Sequence, residues 1–230
     1  MMQQKIGENK LSWVEEFRPK TFADIVGQDC IINPIREKMP NIPNLMLCGI
    51  WGTGKTCLAQ VIVNELKADC KWINGSEQNG VNVMRSRKDG GTGEVDDFLR
   101  HVSLNMRAPK IIVLDEADGL SDEAQKLLRG KIEKYAFNSR FIITLNYEEK
   151  IIEPLQSRFK KYIFRPVEKE HMVIRLQYIA DTKKIVVKDE ELMLIAERSR
   201  GDFRRAINDL QMGDYGETGE LAQIFSFAKG

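Results

Sequence analysis

Short apolar runs alternate with longer amphipathic stretches between Asn44 and Pro166. Apolar runs of this length, separated by helical spacing, are typical of a parallel sheet that helices cover on both faces. One intervening stretch, from Val95 to Val102, places apolar side chains at positions i, i+3, i+4 and i+7, which predicts a helix. Four strands are predicted, at Leu45 to Cys48, Lys71 to Ile73, Ile111 to Leu114 and Phe141 to Leu145.

The pattern changes after Pro166, where strands stop and amphipathic helices follow one another. An apolar stripe from Phe203 to Leu210 follows Asp202, a residue type that commonly caps a helix N-terminus. We therefore predict an α/β domain at residues 1–165 and a small helical domain at residues 166–230. The other stripes of the helical domain run from Met172 to Ala180, from Leu192 to Ala196 and from Leu221 to Ala228.

Composition and charge narrow the class of protein. Of the 230 residues, 42% are hydrophobic and 30% are charged, which is the ordinary balance of a globular protein. The formal net charge of +1 excludes a uniformly basic protein. Any contact with nucleic acid must therefore come from a local patch of positive charge.

The cysteines and the apolar runs bear on where the protein is found. None of the cysteines lies in a C-x-x-C pair or near two histidines, so we expect reduced thiols and no zinc site. No apolar run reaches membrane-spanning length, and residues 1–10 lack the apolar core of a signal peptide. We expect a protein without a membrane partner that is cytoplasmic, or nuclear in a eukaryote, and not secreted. The cysteines are Cys30, Cys48, Cys57 and Cys70.

A phosphate-binding loop is the most specific motif in the chain. Gly49 to Thr56 fits G-x-x-x-x-G-K-[ST] and lies between a predicted strand and a helical pattern. Glycines let backbone N–H groups turn towards phosphate oxygens, and the following helix offers its positive N-terminal end. Lys55 is expected to reach the β- and γ-phosphates of ATP, and the Thr56 hydroxyl to bind Mg²⁺. The predicted nucleotide-binding residues here are Gly52, Thr53, Gly54, Lys55, Thr56 and Cys57.

Polar residues follow the third and fourth predicted strands. Asp115 and Glu116 follow four aliphatic residues, and in a chain with a phosphate loop they are expected near the metal and near the attacking water, respectively. In isolation the same pattern would describe a strand entering a solvated loop. Asn146 follows the fourth predicted strand, where it either orients water beside the γ-phosphate or is a simple turn residue. The sequence pattern alone favours the turn.

With these motifs in place, the chain resembles the small subunits of replication factor C type clamp loaders, which are AAA+ ATPases. The resemblance covers nearly the whole chain from Trp13 onward. It implies a five-stranded parallel sheet with helices on both faces, an all-α lid, and a nucleotide in the crevice between them. The matching segments are Trp13 to Phe22, Ile25 to Gln28, Gly49 to Thr56, Asp115 to Asp118, Phe141 to Tyr147, Ile151 to Arg158 and Gly201 to Asn208.

The resemblance also implies roles that the patterns do not. Val26 and its neighbours would hold the adenine, and Arg18 would lie near the nucleotide. Asn146 matches the sensor 1 position, and Arg204 matches sensor 2. Arg158 matches the arginine finger that enters the site of a neighbouring subunit. Without the resemblance, Arg158 and Arg204 would be interpreted as ordinary surface residues. The implied catalytic residues are Glu116, Lys55, Asn146, Arg158 in trans and Arg204.

The segment from Asn74 to Val81 resembles the start of a helix that follows template phosphates. Its Asn74 is also a candidate for restraining Glu116 until DNA arrives. Basic residues further along would supply charge to phosphates without reading bases. A solvated basic turn is the alternative. The residues expected to contact DNA are Arg85, Arg87 and Lys88.

These features together lead to the hypothesis of an ATPase subunit that opens a ring-shaped sliding clamp and loads it at primer–template DNA. Its partners would be other clamp-loader subunits, the clamp and DNA, and full activity would need subunit assembly. Two alternatives stay open: an AAA+ remodeller or helicase loader that acts on protein partners, and a nucleotide-binding subunit that does not hydrolyse ATP. The resemblance implies a third, collar-forming helical domain after the lid, and we expect it to be missing here. We therefore expect a fragment, a short form, or a ring that depends on partners.

Overall fold

The structure, a computed structural model, describes residues 12–76, 93–101 and 108–215. The chain forms two compact units, of which one is Pro19–Val167 and the other combines residues 12–18 with 168–215. Among the described residues, no helix is long and apolar enough to cross a membrane. The helices are α1 (Trp13–Glu16), α2 (Asp29–Lys38), α3 (Lys55–Leu66), α4 (Glu94–Arg100), α5 (Asp122–Lys134), α6 (Glu153–Gln156), α7 (Lys169–Lys183), α8 (Asp189–Ser199) and α9 (Phe203–Met212).

A five-stranded parallel sheet forms the centre of the α/β unit, as the sequence resemblance predicts. Its strands are β1 (Leu45–Gly49), β2 (Cys70–Asn74), β3 (Lys110–Asp115), β4 (Ser139–Leu145) and β5 (Lys160–Phe164). Their order across the sheet is β2-β3-β4-β1-β5, and every neighbouring pair is parallel. The carboxyl ends of β1, β4 and β3 therefore lie side by side at one end of the sheet.

The strand β5 was not among the four strands that the apolar pattern located. It lies at an edge of the sheet, where it pairs with β1 alone. Lys160, Lys161 and Ile163 are exposed, and of its five residues only Phe164 is fully buried. An edge strand has a neighbour on one side only and can carry charged residues, so it lacks the continuous apolar run of a central strand.

Alternating side chains of the central strands build a core on each face of the sheet. In β3, Ile112 and Leu114 face the cluster that contains α4 and α5 residues, whereas Ile111 and Val113 face the cluster that contains α2 and α3 residues. All four side chains are fully buried. The predicted helix after β2 is present as α4, although Val102 lies outside the described residues. Both faces of the sheet are therefore covered, and the loops that follow the strands lie at their carboxyl ends.

The helical unit contains α7, α8 and α9 together with α1 from the start of the described chain. Most residues of the predicted stripes are buried, although Phe203 is half-buried. Asp202 caps α9 by accepting hydrogen bonds from the backbone N–H groups of Arg204 and Arg205. Residues 12–18, which the sequence pattern assigned to the α/β domain, pack against these helices. The predicted stripe from Leu221 to Ala228 lies outside the described residues.

Candidate nucleotide-binding site

Three glycines shape the loop between β1 and α3. Gly49, Gly52 and Gly54 have φ values of +145°, +71° and +100°, which side chains of L residues rarely adopt. A Cβ at Gly49 would lie 2.5 Å from the carbonyl oxygen of Phe164, so β1 ends too close to β5 for any side chain. The chain can therefore turn sharply from the strand into α3, whose first residue follows Gly54 directly.

Lys55 begins α3, and its amine lies inside the loop. Its Nζ donates to the carbonyl oxygens of Gly49 and Ile50 at 2.7 Å each, and to Oδ1 of Asn146 at 2.9 Å. The residue is 8% exposed. These three acceptors are neutral oxygens, and they fix the amine at the base of the loop. The structure therefore joins Asn146, which the sequence pattern alone would make a turn residue, directly to the phosphate loop.

A chain of hydrogen bonds joins the loop to the acids that end β3. The Thr56 hydroxyl donates to Oδ1 of Asp115 at 2.9 Å. The Thr144 hydroxyl, on β4, also donates to this oxygen and accepts a hydrogen bond from the backbone N–H of Glu116 at 3.1 Å. Hydroxyl and carboxylate oxygens are the ligands that Mg²⁺ prefers. Thr56 and Asp115 therefore form a pair suited to that ion.

Glu116 is held at the start of the turn after β3. Its φ is +54°, an unusual left-handed conformation for a side chain of this size. Its Oε2 accepts a hydrogen bond of 2.5 Å from the hydroxyl of Ser76. Asn74, which was the candidate for this restraint, instead accepts from the backbone N–H of Ser76 through its Oδ1 at 3.0 Å. The side chain in contact with Glu116 is therefore that of Ser76, and Asn74 shapes the turn that presents it.

The segment that was predicted to hold adenine lies beside the phosphate loop. A methyl group of Ile25 is 3.8 Å from the position that a Cβ at Gly54 would occupy. Val26 follows and is half-buried. Gln28 fixes the segment to the end of the sheet, since its Nε2 donates to the carbonyl oxygen of Arg165 at 2.9 Å. Apolar side chains and the phosphate loop therefore meet on the same side of this unit.

Arg158 lies near the amino ends of the strands, whereas the phosphate loop lies at their carboxyl ends. It precedes β5, whose first residue pairs with Leu45 at the start of β1, whereas the phosphate loop follows the end of β1. Its carbonyl oxygen accepts from the Nδ2 of Asn44 at 3.2 Å. A strand of five residues spans about 15 Å, which is more than an arginine side chain reaches. Arg158 therefore does not serve the phosphate loop of its own chain.

Comparison with known proteins decides the family. The model of the "ATPase family associated with various cellular activities (AAA)" matches residues 45–167, just over half of the chain. The chain belongs to this AAA family. The matched region begins with β1 and ends after β5, so it contains the whole sheet and the loops at its carboxyl edge.

Curated relatives carry a more specific name. Replication factor C small subunit 2 of Pyrobaculum islandicum is 38% identical over 212 residues, which is 89% of this chain and 64% of that protein. The replication factor C small subunit of Staphylothermus marinus is 39% identical over 210 residues, 88% of this chain and 61% of the relative. This AAA protein therefore spans about three-fifths of the length of these relatives.

Solved structures support the fold. The Thermotoga maritima RuvB Holliday junction branch migration motor has a TM-score of 0.65 and 21% sequence identity to this AAA protein. The match covers 85% of this chain and 64% of that one. At this level of identity the likeness concerns the fold alone.

The remaining predicted residues fall outside the arrangement described for the α/β unit. Arg18 belongs to the helical unit, where its Nη2 donates to Glu15 at 2.9 Å. Arg204 lies in the first turn of α9 in the same unit and is exposed. Arg85, Arg87 and Lys88 lie outside the described residues.

The cysteines beside the phosphate loop differ in burial. Cys48 is buried near the end of β1, and Cys57 is half-buried in the first turn of α3. Burial, with a smaller contribution from the charge of Glu148, raises the pKa of the Cys48 thiol to about 11. Cys48 is therefore an unreactive packing residue of the AAA domain, in which the thiolate is scarce at neutral pH.

Three polar residues of this AAA domain were missed in the sequence. Thr144 and Ser76 hold the acids, and Gln125, buried in α5, accepts from the backbone N–H of Ile152 at 2.8 Å and donates to the carbonyl oxygens of Leu120 and Lys150. Gln125 offers a recognisable signal, since it is a polar residue on the apolar face of an amphipathic helix. Thr144 offers none, because threonine is common in strands.

Proposed function

We propose that this AAA protein is an ATP-hydrolysing subunit of a clamp loader. Together with partner subunits it would open a ring-shaped sliding clamp and load it at primer–template DNA. The observation that carries the proposal is the meeting of Lys55, Asn146, Thr56 and Asp115 at one edge of the sheet. The extensive similarity to replication factor C small subunits supplies the biological context.

The site's own residues fit ATP with Mg²⁺. The backbone from Gly52 to Thr56 and the Lys55 ammonium would bind the phosphates, with Cys57 in the helix turn behind them. Thr56 and Asp115 would hold the metal, and Val26 and Arg18 would adjoin the base. Bound Mg²⁺ would supply charge neutralisation at the phosphate oxygens.

Hydrolysis would divide the work among groups on one subunit and the next. Glu116 would orient and deprotonate water, and Asn146, already hydrogen-bonded to Lys55, would position that water or a phosphate oxygen. Arg204 would contact the nucleotide from the helical unit. Arg158 would enter the site of the neighbouring subunit. This agrees with its position near the amino ends of the strands, away from the phosphate loop of its own chain.

The trans role of Arg158 makes turnover depend on assembly. A contact of this kind is head-to-tail, and its repetition about an axis gives a ring or an open spiral. DNA phosphates would be met by Arg85, Arg87 and Lys88, which supply charge without base contacts. Such contacts would couple turnover to the presence of DNA and clamp.

The test is steady-state ATP hydrolysis by the protein alone, and then with primer–template DNA and a sliding clamp. We expect stimulation that Lys55→Ala and Arg158→Ala each abolish, the latter by a factor on the order of 10³ because an arginine finger stabilises the transferring phosphoryl group. Arg36→Ala removes an exposed arginine on α2, away from the phosphate loop, and should leave turnover unchanged.

Mixing the two inactive variants separates this proposal from the alternatives. The Lys55→Ala chain keeps its finger and the Arg158→Ala chain keeps its phosphate loop, so mixed assemblies should regain part of the activity. Turnover that ignores DNA, clamp and Arg158 would contradict the clamp-loader proposal. It would favour a remodeller that acts on protein partners.

A further inference from the structure

The guanidinium of Arg158 is bound by a carboxylate of its own chain. Its Nε donates to Oε1 of Glu133 at 3.0 Å, and its Nη2 contacts the same oxygen. On its other side, Nη1 donates to the carbonyl oxygen of Pro154 and approaches the hydroxyl of Ser157 at 3.4 Å. Every nitrogen of the guanidinium thus has a partner, yet the side chain remains 30% exposed.

Glu133 lies on a helix that is firmly packed against the rest of the α/β unit. It lies in the last turn of α5, whose opposite face buries Ala124, Leu128 and Ile132 against the sheet. The same turn is anchored through Lys131, whose Nζ donates to the buried Asp96 at 2.6 Å. The backbone of Glu133 is therefore rigid, although its side chain is 54% exposed.

The contacts orient the guanidinium without using all of its donors. Nη2 carries two N–H groups, and the bond to the single oxygen of Glu133 leaves it a second one. An arginine side chain has several rotatable bonds, and holding it in one orientation before it meets a phosphate lowers the entropy lost on contact. Because the ion pair is exposed, it is weak, so it favours one orientation without preventing the approach of a neighbouring subunit.

We propose that Glu133 is a positioning residue for the trans finger Arg158. The proposal rests on the proposed function, because it requires that Arg158 act on a nucleotide bound to the next subunit. Glu133 contributes nothing to the nucleotide site of its own chain. Its effect passes to the neighbouring site through the orientation of the guanidinium.

Kinetics of the Glu133→Gln variant in the assembled protein with DNA and clamp form the first test. We expect kcat to fall by about fivefold, the scale of an exposed ion pair, with KM for ATP unchanged. Glu133→Asp should recover part of kcat because it keeps the charge. Glu37→Gln, an exposed carboxylate on α2, is the matched control. The same change in an Arg158→Ala background should have no further effect, since the group that Glu133 holds is already gone.

Complementation is the second test and distinguishes a role in trans from a general defect. Mixing Glu133→Gln with Lys55→Ala should restore activity, because the Lys55→Ala chain supplies an intact finger. Mixing Glu133→Gln with Arg158→Ala should restore none beyond the residual activity, because both chains are impaired on the same face. A structural defect within the Glu133→Gln chain would not be corrected by either partner.

The outcomes separate the two proposals. If Arg158→Ala has no effect or is not complemented by Lys55→Ala, the trans finger itself fails, and the role of Glu133 fails with it. If Arg158→Ala behaves as expected but Glu133→Gln leaves kcat unchanged or raises it, the proposed function stands and the positioning role is overturned. A loss that persists in the Arg158→Ala background also overturns it.

Discussion

At the residue scale, the buried polar atoms of the site satisfy one another, and Thr144 is central to this arrangement. Its hydroxyl donates to Asp115 and accepts from the backbone N–H of Glu116, while the residue itself is 1% exposed. A single hydroxyl therefore fixes both acids relative to β4. Buried polar groups that lose such a partner retain the full cost of their desolvation.

The Thr144→Val change tests this role, since valine keeps the shape of threonine without its hydroxyl. We expect a loss of about 2 kcal/mol in the free energy of unfolding, because Asp115 and the Glu116 N–H each lose a partner. ATP turnover should fall by at least about tenfold, an effect of 1.4 kcal/mol or more at the transition state. Chemical denaturation and steady-state ATPase assays measure the two effects.

Thr144→Ser is the control for this change because it retains the hydroxyl. Its turnover should stay close to that of the unchanged protein. If the valine variant keeps as much turnover as the serine variant, the hydroxyl is not required and its role is contradicted.

At the scale of elements, a buried ion pair joins α4 to α5. Asp96 on α4 accepts from Nζ of Lys131 at 2.6 Å and from the hydroxyl of Tyr135 at 2.9 Å, and Lys134 lies 3.8 Å away. Burial acts to raise the pKa of Asp96, but the hydrogen bonds from Lys131 and Tyr135, with the two lysine charges, lower it overall. The two helices that cover one face of the sheet are therefore linked by charge as well as by apolar contact.

Removing Lys131 deprives the buried carboxylate of Asp96 of its nearest cation. We expect Lys131→Met to lower the free energy of unfolding by about 3 kcal/mol, whereas Lys134→Met, which removes a lysine whose side chain is 54% exposed, should lower it much less.

Because the folded pKa of Asp96 is below its ordinary value of 3.8, its stabilising effect is present above pH 3.8 and lost as the pH falls through the folded value. Urea denaturation at several pH values measures the free energy of unfolding of the unchanged protein and of Asp96→Asn. The difference between the two should therefore become smaller in acid. A difference that does not change with pH would contradict the ion pair.

At the scale of the whole molecule, the described N-terminal segment is part of the helical unit. The backbone N–H of Trp13 donates to Oε1 of Gln211 on α9 at 3.0 Å. Phe17 is buried and meets Tyr178 on α7 edge-on at 6.2 Å, while its carbonyl oxygen accepts from Arg175 at 3.0 Å. Segments that lie at opposite ends of the described chain thus complete one small core.

Phe17→Ala should weaken this unit selectively. Deleting a buried phenyl ring costs about 3 kcal/mol or more, so amides in α7, α8 and α9 should exchange with solvent faster. Amides of the central strands should be unaffected. Hydrogen exchange followed by mass spectrometry measures both, with Phe137→Ala, which removes a ring that is 84% exposed, as the control. Unchanged exchange in α7 to α9 would show that the segment is not needed there.

The sequence by itself determined the elements whose physics is local. The central strands were predicted because strands covered on both faces read as continuous apolar runs, and the phosphate loop was predicted because its glycines and Lys55 stand at fixed spacing. Asp202 was predicted as a cap because its type and place before an apolar stripe suffice. Such features depend on neighbours a few positions away.

The tertiary structure alone decided which distant residues meet. Thr144 contacts Asp115 because β4 lies beside β3, and Ser76 reaches Glu116 because β2 lies on the other side of β3. Likewise Glu133 faces Arg158 only through the packing of α5 and α6. Strand β5 escaped the pattern because an edge strand need not be apolar. Hydrogen bonds between residues 25 to 40 positions apart depend on strand order and packing, which no local pattern encodes.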